Sequence, residues 1–166
     1  MKTLYIDRIA SPIGAVIIVV DDGRLCALGF DDEQQLLLSL RRRYGAACFE
    51  ESDDPHGISG HIRAYFDSNL HALDAIPVNT GGTAFQQSVW TALRAIPAGT
   101  TLSYGLLAAQ IGKPAAVRAV GAANGANPIS IVVPCHRLIG ANGTLVKYGG
   151  GLERKRWLLR HEGVNI

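Results

Sequence analysis

The stretch SYGLLAAQIGKPAAVRAVGAANGAN, residues 103–127, holds two short helical patterns separated by a Gly-Lys-Pro turn. Ser103 is placed to cap the first helix, with Leu106, Leu107 and Ile111 as its expected inward face. Pro114 suits the start of the second, because its missing N–H would be unpaired there in any case. Two short helices joined by a tight turn make a helix-turn-helix candidate. The second helix is nearly bare: Ala115, Ala116, Ala119, Gly121, Ala122, Ala123 and Gly125 surround a single charge, Arg118. Small residues let a helix backbone approach another surface closely, and a tight helix–helix contact accounts for them equally well. The isolated guanidinium favours a nucleic-acid surface, where it can bind phosphate or fill the space of a displaced base.

Upstream, TAFQQSVWTALRAIPAG (83–99) reads as a helix with a Thr83–Gln86 capping box and an apolar face of Phe85, Val89, Trp90, Leu93 and Ile96. The best linker is PVNTGG, residues 77–82. It divides the chain into an N-terminal α/β domain, 1–79, and a mainly helical domain, 80–166. In the first, TLYIDRI, AVIIVV and RLCALGF predict a small antiparallel meander. Helices are expected over EQQLLLSLRRRYG, capped by Asp31 or Asp32, and over ISGHIRAYFDSNL. The fold class is therefore α+β.

Charge follows the same division. Residues 1–79 carry 7 basic and 12 acidic side chains, a balance of −5, and residues 80–166 carry 9 and 2, a balance of +7. That asymmetry points the second half, with Lys113 and Arg118, at a polyanion. Three cysteines, Cys26, Cys48 and Cys135, form no CxxC spacing. They argue against a disulfide framework or a zinc ribbon and for a reducing, cytoplasmic setting. No metal site is expected from His56, His61 or His71. No apolar run approaches the length of a membrane span, and the N-terminus carries no signal-peptide pattern.

Behind the helix pair comes ISIVVPCHRLIG, residues 129–140. Ile131, Val132 and Val133 read as a buried strand, and Val133 before Pro134 must be extended. Pro134 can open a helical turn, which would set Cys135 near a helix N-terminus, where partial positive charge favours thiolate. His136 is near enough to serve as base, directly or through a water. A small buried cysteine beside an exposed histidine fits the local residues as well.

The segments NPISIVVPCHRLIG, FQQSVW, IPAGTTLSYG, AVRAVGAANGANP, YGGG and KRWLLRHEG together resemble the O6-alkylguanine-DNA alkyltransferases (methylated-DNA–protein-cysteine methyltransferases), from about Gly82 to Gly163. The resemblance implies that Cys135 accepts the alkyl group, that His136 activates it through a water, and that Glu162 orients the histidine. It implies that Asn127 ties the recognition helix to the active-site loop, and that Tyr104 helps rotate the nucleotide out. Arg118 would enter the duplex in its place, with the small residues Ala119 and Gly121 close to the minor groove; Lys113 is expected on phosphate from the charge division alone. Tyr148, Gly149 and Gly150, with Val133 and Pro134, would form the wall of the base pocket. Two departures from the family pattern are Leu138, where valine is usual, and Lys147, where a small residue often precedes the tyrosine. The implied partner is double-stranded DNA bearing alkylated guanine, with alkylated thymine a further candidate. No cofactor is required, a monomer is expected, and cooperative binding is left open. Two rivals remain at this point: a cysteine hydrolase, which would need an oxyanion hole, and a lesion-binding module without chemistry, which would have no use for Cys135.

Overall fold

Every residue of the strand Val16–Asp21 is buried, which explains its place inside the sheet rather than at an edge. The computed structural model describes residues 1–166 and divides them into two units, Met1–Gly81 and Gly82–Ile166. In the first, strands β1 (Lys2–Ile9), β2 (Val16–Asp21), β3 (Arg24–Gly29) and β4 (Ala47–Glu51) are ordered β3-β2-β1-β4. β1 and β2 are antiparallel, with Tyr5 opposite Val20 and Ile9 opposite Val16. β2 and β3 form the second hairpin, with an irregularity between Val19 and Val20. The three-stranded meander gains a fourth strand that the sequence pattern did not suggest. β4 lies parallel to β1, with Leu4 opposite Phe49. A parallel neighbour needs a crossover, and helix α1 (Glu33–Tyr44) supplies it. Asp32, not Asp31, caps α1 by accepting from Gln35 N at 3.1 Å, and Gly45 ends it at φ 72°. Leu36, Leu37 and Leu40 of α1 pack on Leu4, Ile6, Ile17 and Val19. Helix α2 (Ile58–Phe66) stops before Asp-Ser-Asn-Leu, short of the expected range, because Ser68 turns to φ 79° and Asn69 N closes back onto Ala64 O. Segment 77–79 then returns along β3, where Leu25 N donates to Pro77 O and Asn79 N to Leu25 O, each at 2.9 Å.

The second unit is helical around one short ladder. Helix α3 (Ala84–Arg94) has both bonds of the capping box, Gln86 N to Thr83 Oγ1 at 3.1 Å and Thr83 N to Gln86 Oε1 at 3.0 Å. Strand β5 (Leu102–Ser103) leads into α4 (Tyr104–Gln110), capped by Ser103, which accepts from Leu106 N. Helix α5 is Val117–Gly125, strand β6 is Leu138–Ile139 and helix α6 is Leu152–His161. β5 and β6 pair in parallel, Leu102 opposite Leu138 and Ser103 opposite Ile139. Trp90 Nε1 donates to Ala123 O at 2.8 Å and fastens α3 to α5.

Three expectations for this unit are corrected. Leu106 is 58% exposed, and the inward face of the short α4 is Leu107 with Ala108. Helix α5 begins at Val117, because residues 114–116 close a turn through Ala116 N to Lys113 O. Residues 131–133 are buried but form no strand. Ile131 sits at φ 71°, a costly conformation for a β-branched residue, and short turn bonds, Val132 N to Ser130 O and Val133 N to Ile129 O, replace ladder pairing.

Candidate active site

Cys135 opens a single 3₁₀ turn, Cys135–Arg137, that follows directly from this tightly wound segment. Two asparagines hold it. Asn127 Nδ2 donates to Val133 O at 2.8 Å while its Oδ1 accepts from Ile129 N, and Asn124 Nδ2 of α5 reaches Cys135 O at 3.4 Å. The residues just after the turn form β6, which pairs with the residues just before Tyr104. The Cys135 turn is thus stitched to both helices of the helix-turn-helix by hydrogen bonds. The expected help from a helix N-terminus does not materialise, since one 3₁₀ turn carries too little aligned dipole. Cys135 is 6% exposed, and burial pushes its thiol above the ordinary value, with the Asn127 amide and the Lys155 ammonium pulling the other way.

The same turn carries a buried ion-pair network. His136 Nε2 and Glu162 Oε2 are 2.9 Å apart, and both side chains are fully buried. Arg137 also grips Glu162, Nε to Oε1 and Nη2 to Oε2 at 2.9 Å each, and its Nη1 donates to Ile96 O at 2.6 Å. Although burial opposes ionisation, His136 and Arg137 hold the Glu162 carboxyl far below the usual carboxylate range. An ionised carboxylate only accepts, so the His136 proton sits on Nε2 and Nδ1 is left as the acceptor. That Nδ1 is buried and has no protein partner. Burial lowers the His136 pKa despite Glu162, so the imidazole rests neutral and able to take a proton.

In front of the thiol is a cleft of about 660 Å³, an ordinary size for a small-molecule site. Tyr104 of α4, Arg118 and Gly121 of α5, Tyr148 and Gly149 line it together with Cys135, and so does Lys147. The Tyr104 hydroxyl is kept protonated, first by burial and then by proximity to Cys135. The Tyr148 and His136 rings meet edge to face at 6.5 Å. Of the other candidate residues, Val133 and Pro134 are buried behind the cleft, and Gly150 lies beyond its lining. Ala119 is exposed on α5. Lys113 sits over the Phe85 ring at 5.4 Å, away from the cleft. Leu138 is buried in β6 and does not line the cleft. Sequence reasoning missed three residues of this neighbourhood: Asn124, Arg137 and Lys155. Only Arg137, next to the Cys-His pair, had a local signal.

Residues 84–164 match the family model described as the 6-O-methylguanine DNA methyltransferase, DNA binding domain. A methylated-DNA–protein-cysteine methyltransferase of Salmonella typhimurium is 51% identical over 98% of both chains. The chain belongs to this methyltransferase family. The Haemophilus influenzae family member is 39% identical over 99% of this chain and 89% of its own. Among solved family structures, the Mycobacterium tuberculosis OGT in complex with DNA is 40% identical, with a TM-score of 0.78 over 96% of this chain and 92% of that one. The family likeness therefore spans both units. No helix is long and apolar enough to cross a membrane.

Proposed function

We propose that this protein repairs DNA by taking the alkyl group of an O6-alkylated guanine onto its own Cys135, once per molecule. The observation that carries the reading is the buried Glu162–His136 pair in the turn whose first residue, Cys135, lines a cleft shared with α4 and α5. An alkylated base inside the duplex is out of reach, so it must be rotated out, and a damaged pair costs less to open. Helix α5, poor in side-chain bulk, approaches the minor groove, and Arg118 fills the gap that the base leaves. In the cleft, His136 Nδ1 takes the thiol proton through a water. The Cys135 sulfur then attacks the alkyl carbon, the carbon–oxygen bond breaks, and its electron pair stays with the purine. The Tyr104 hydroxyl supplies a proton to the ring as the purine leaves. The product is a thioether that water does not cleave, so the protein is consumed. The buried relay of His136 and Glu162 suits a thiol, and the relatives are methyltransferases rather than hydrolases, which favours this reading over the hydrolase one. The protein is read as a monomer acting in the cytoplasm without a cofactor.

Intact-mass analysis after incubation with a duplex containing O6-methylguanine tests this. One added methyl group, on the peptide holding Cys135, is the expected result, and Cys135→Ser should bind DNA and gain nothing. More than one turnover per protein molecule would refute the proposal.

A further inference from the structure

Lys155 is the one lysine whose whole side chain is buried, at 0% exposure in the middle of α6. A lysine ammonium has three donors and no acceptor, so burying it without an anion or several carbonyls is expensive. Its Nζ donates to Leu138 O at 2.6 Å and to Lys147 O at 3.3 Å. Leu138 is the residue at which the chain leaves the Cys135–Arg137 turn, and Lys147 is on the wall of the cleft. The two carbonyls belong to the two ends of the loop 138–147, so one ammonium holds the exit of the nucleophile's turn against the pocket wall. No carboxylate pairs with it: Glu162, the nearest acid in the relay, is taken by His136 and Arg137. Its charge is felt instead by Cys135 and by His136, the titratable groups of the adjoining turn.

We propose that Lys155 is a positioning residue for the reacting thiol, its buried ammonium acting as counter-ion to the Cys135 thiolate while it clamps the loop 138–147 that forms the cleft wall. The inference rests on Cys135 being the acceptor and names what balances its charge. Burial brings the ammonium down and a negative sulfur raises it part of the way back, to about 8, so each group stabilises the charged form of the other. The proton leaving the thiol passes to His136, while Lys155 keeps its own. When the sulfur becomes a neutral thioether, the ammonium loses that support.

The test uses the full chain and iodoacetamide, which reads thiolate without DNA. Lys155→Met keeps the length and removes the charge, and the midpoint of the pH–rate curve for Cys135 should rise by about one pH unit, with a rate at pH 7 about tenfold lower. Lys155→Gln can still donate to a carbonyl, so its midpoint should rise too. A glutamine variant with the wild-type midpoint would reduce Lys155 to a clamp and overturn the counter-ion assignment, as would two unshifted variants. Should neither variant fold, lysine Nζ resonances provide the same answer, because the other lysines, Lys2, Lys113 and Lys147, are not buried. One lysine should titrate near 8, and lower still in Cys135→Ser; equal midpoints in the two proteins would refute the coupling. Wild type that takes no methyl group from DNA would instead defeat the proposed function, while the iodoacetamide profile would still read the Lys155–Cys135 pair.

Discussion

Glu162→Gln removes one charge from the most connected carboxylate in the second unit. The carboxylate accepts from His136 and twice from Arg137, all at 2.9 Å and all buried. Glutamine offers one acceptor oxygen and an NH₂ that must face a donor, leaving the 7%-exposed Arg137 without a counter-charge. Breaking a buried pair in this way costs about 3–5 kcal/mol. For a chain of this size that corresponds to a melting temperature lower by about 6–20 °C. The chemistry should suffer separately. The amide NH₂ opposite Nε2 favours the tautomer with the proton on Nδ1, which cannot accept from the thiol. A comparable tautomer error in a serine-protease triad costs about 10⁴ in kcat, so a loss of about 10²–10⁴ in alkyl-transfer rate is expected here, with DNA affinity nearly intact. Linkage supplies an independent check. The folded-state pKa of Glu162 is depressed, so its stabilisation is fully present above the unfolded value of about 4.3 and is lost as pH falls below it. The His136 pKa is also depressed, so the unfolded chain gains protons first below about 6.5 and stability falls there too. The variant should therefore lose the limb below about pH 4.3 that Glu162 provides, and keep the one near 6.5. Thermal melts across pH, with single-turnover mass kinetics, measure both. An unchanged melting temperature and pH–rate profile would refute the relay.

Two further outcomes follow from the nucleic-acid face. Arg118→Ala should slow repair of duplex DNA by at least about tenfold while leaving reaction with free O6-methylguanine base within about twofold, since a free base has no stack to open; equal losses would place Arg118 in the pocket instead. Lys113→Glu should weaken binding to all duplexes alike and flatten the dependence of log affinity on log salt by about one to two contacts, whereas reversing Arg41 or Arg42 in α1 should leave that slope unchanged; a filter-binding salt series distinguishes them.

Much of this architecture was legible because local chemistry and tertiary structure agree. The Thr83–Gln86 box, the Ser103 cap and the Gly45 stop each satisfy backbone groups within a few residues, so spacing alone reveals them. The errors fall where distant contacts decide. β4 has a mixed sequence, ACFEE, and becomes a strand only because α1 carries the chain back beside β1. Ile131–Val133 has a strand's composition, yet burial from all sides and two short turn bonds wind it tightly, which aims the following turn at the cleft. The Cys-His pair was visible as a candidate nucleophile and base. That His136 is the partner of Glu162 came from family resemblance, because 25 residues separate Arg137 from Glu162 and no periodicity spans that gap. Lys155 opened a segment that resembles the family but suggested no role of its own, since a lysine in the middle of a polar helix ordinarily faces solvent.

The buried, protonated resting state of Cys135 has a consequence for how long a molecule remains useful. A protein that reacts once is a stock of reagent, and every thiol lost to an oxidant or a stray electrophile is a lesion left standing. Thiolate is the vulnerable form. By keeping the sulfur 6% exposed and its proton in place, the fold lowers the rate of waste between lesions. Under the proposed function, reactivity is then called up where an extruded base fills the cleft and brings the alkyl carbon to the sulfur. Shelf life and speed are set by the same desolvated pocket, and the resting thiol favours shelf life.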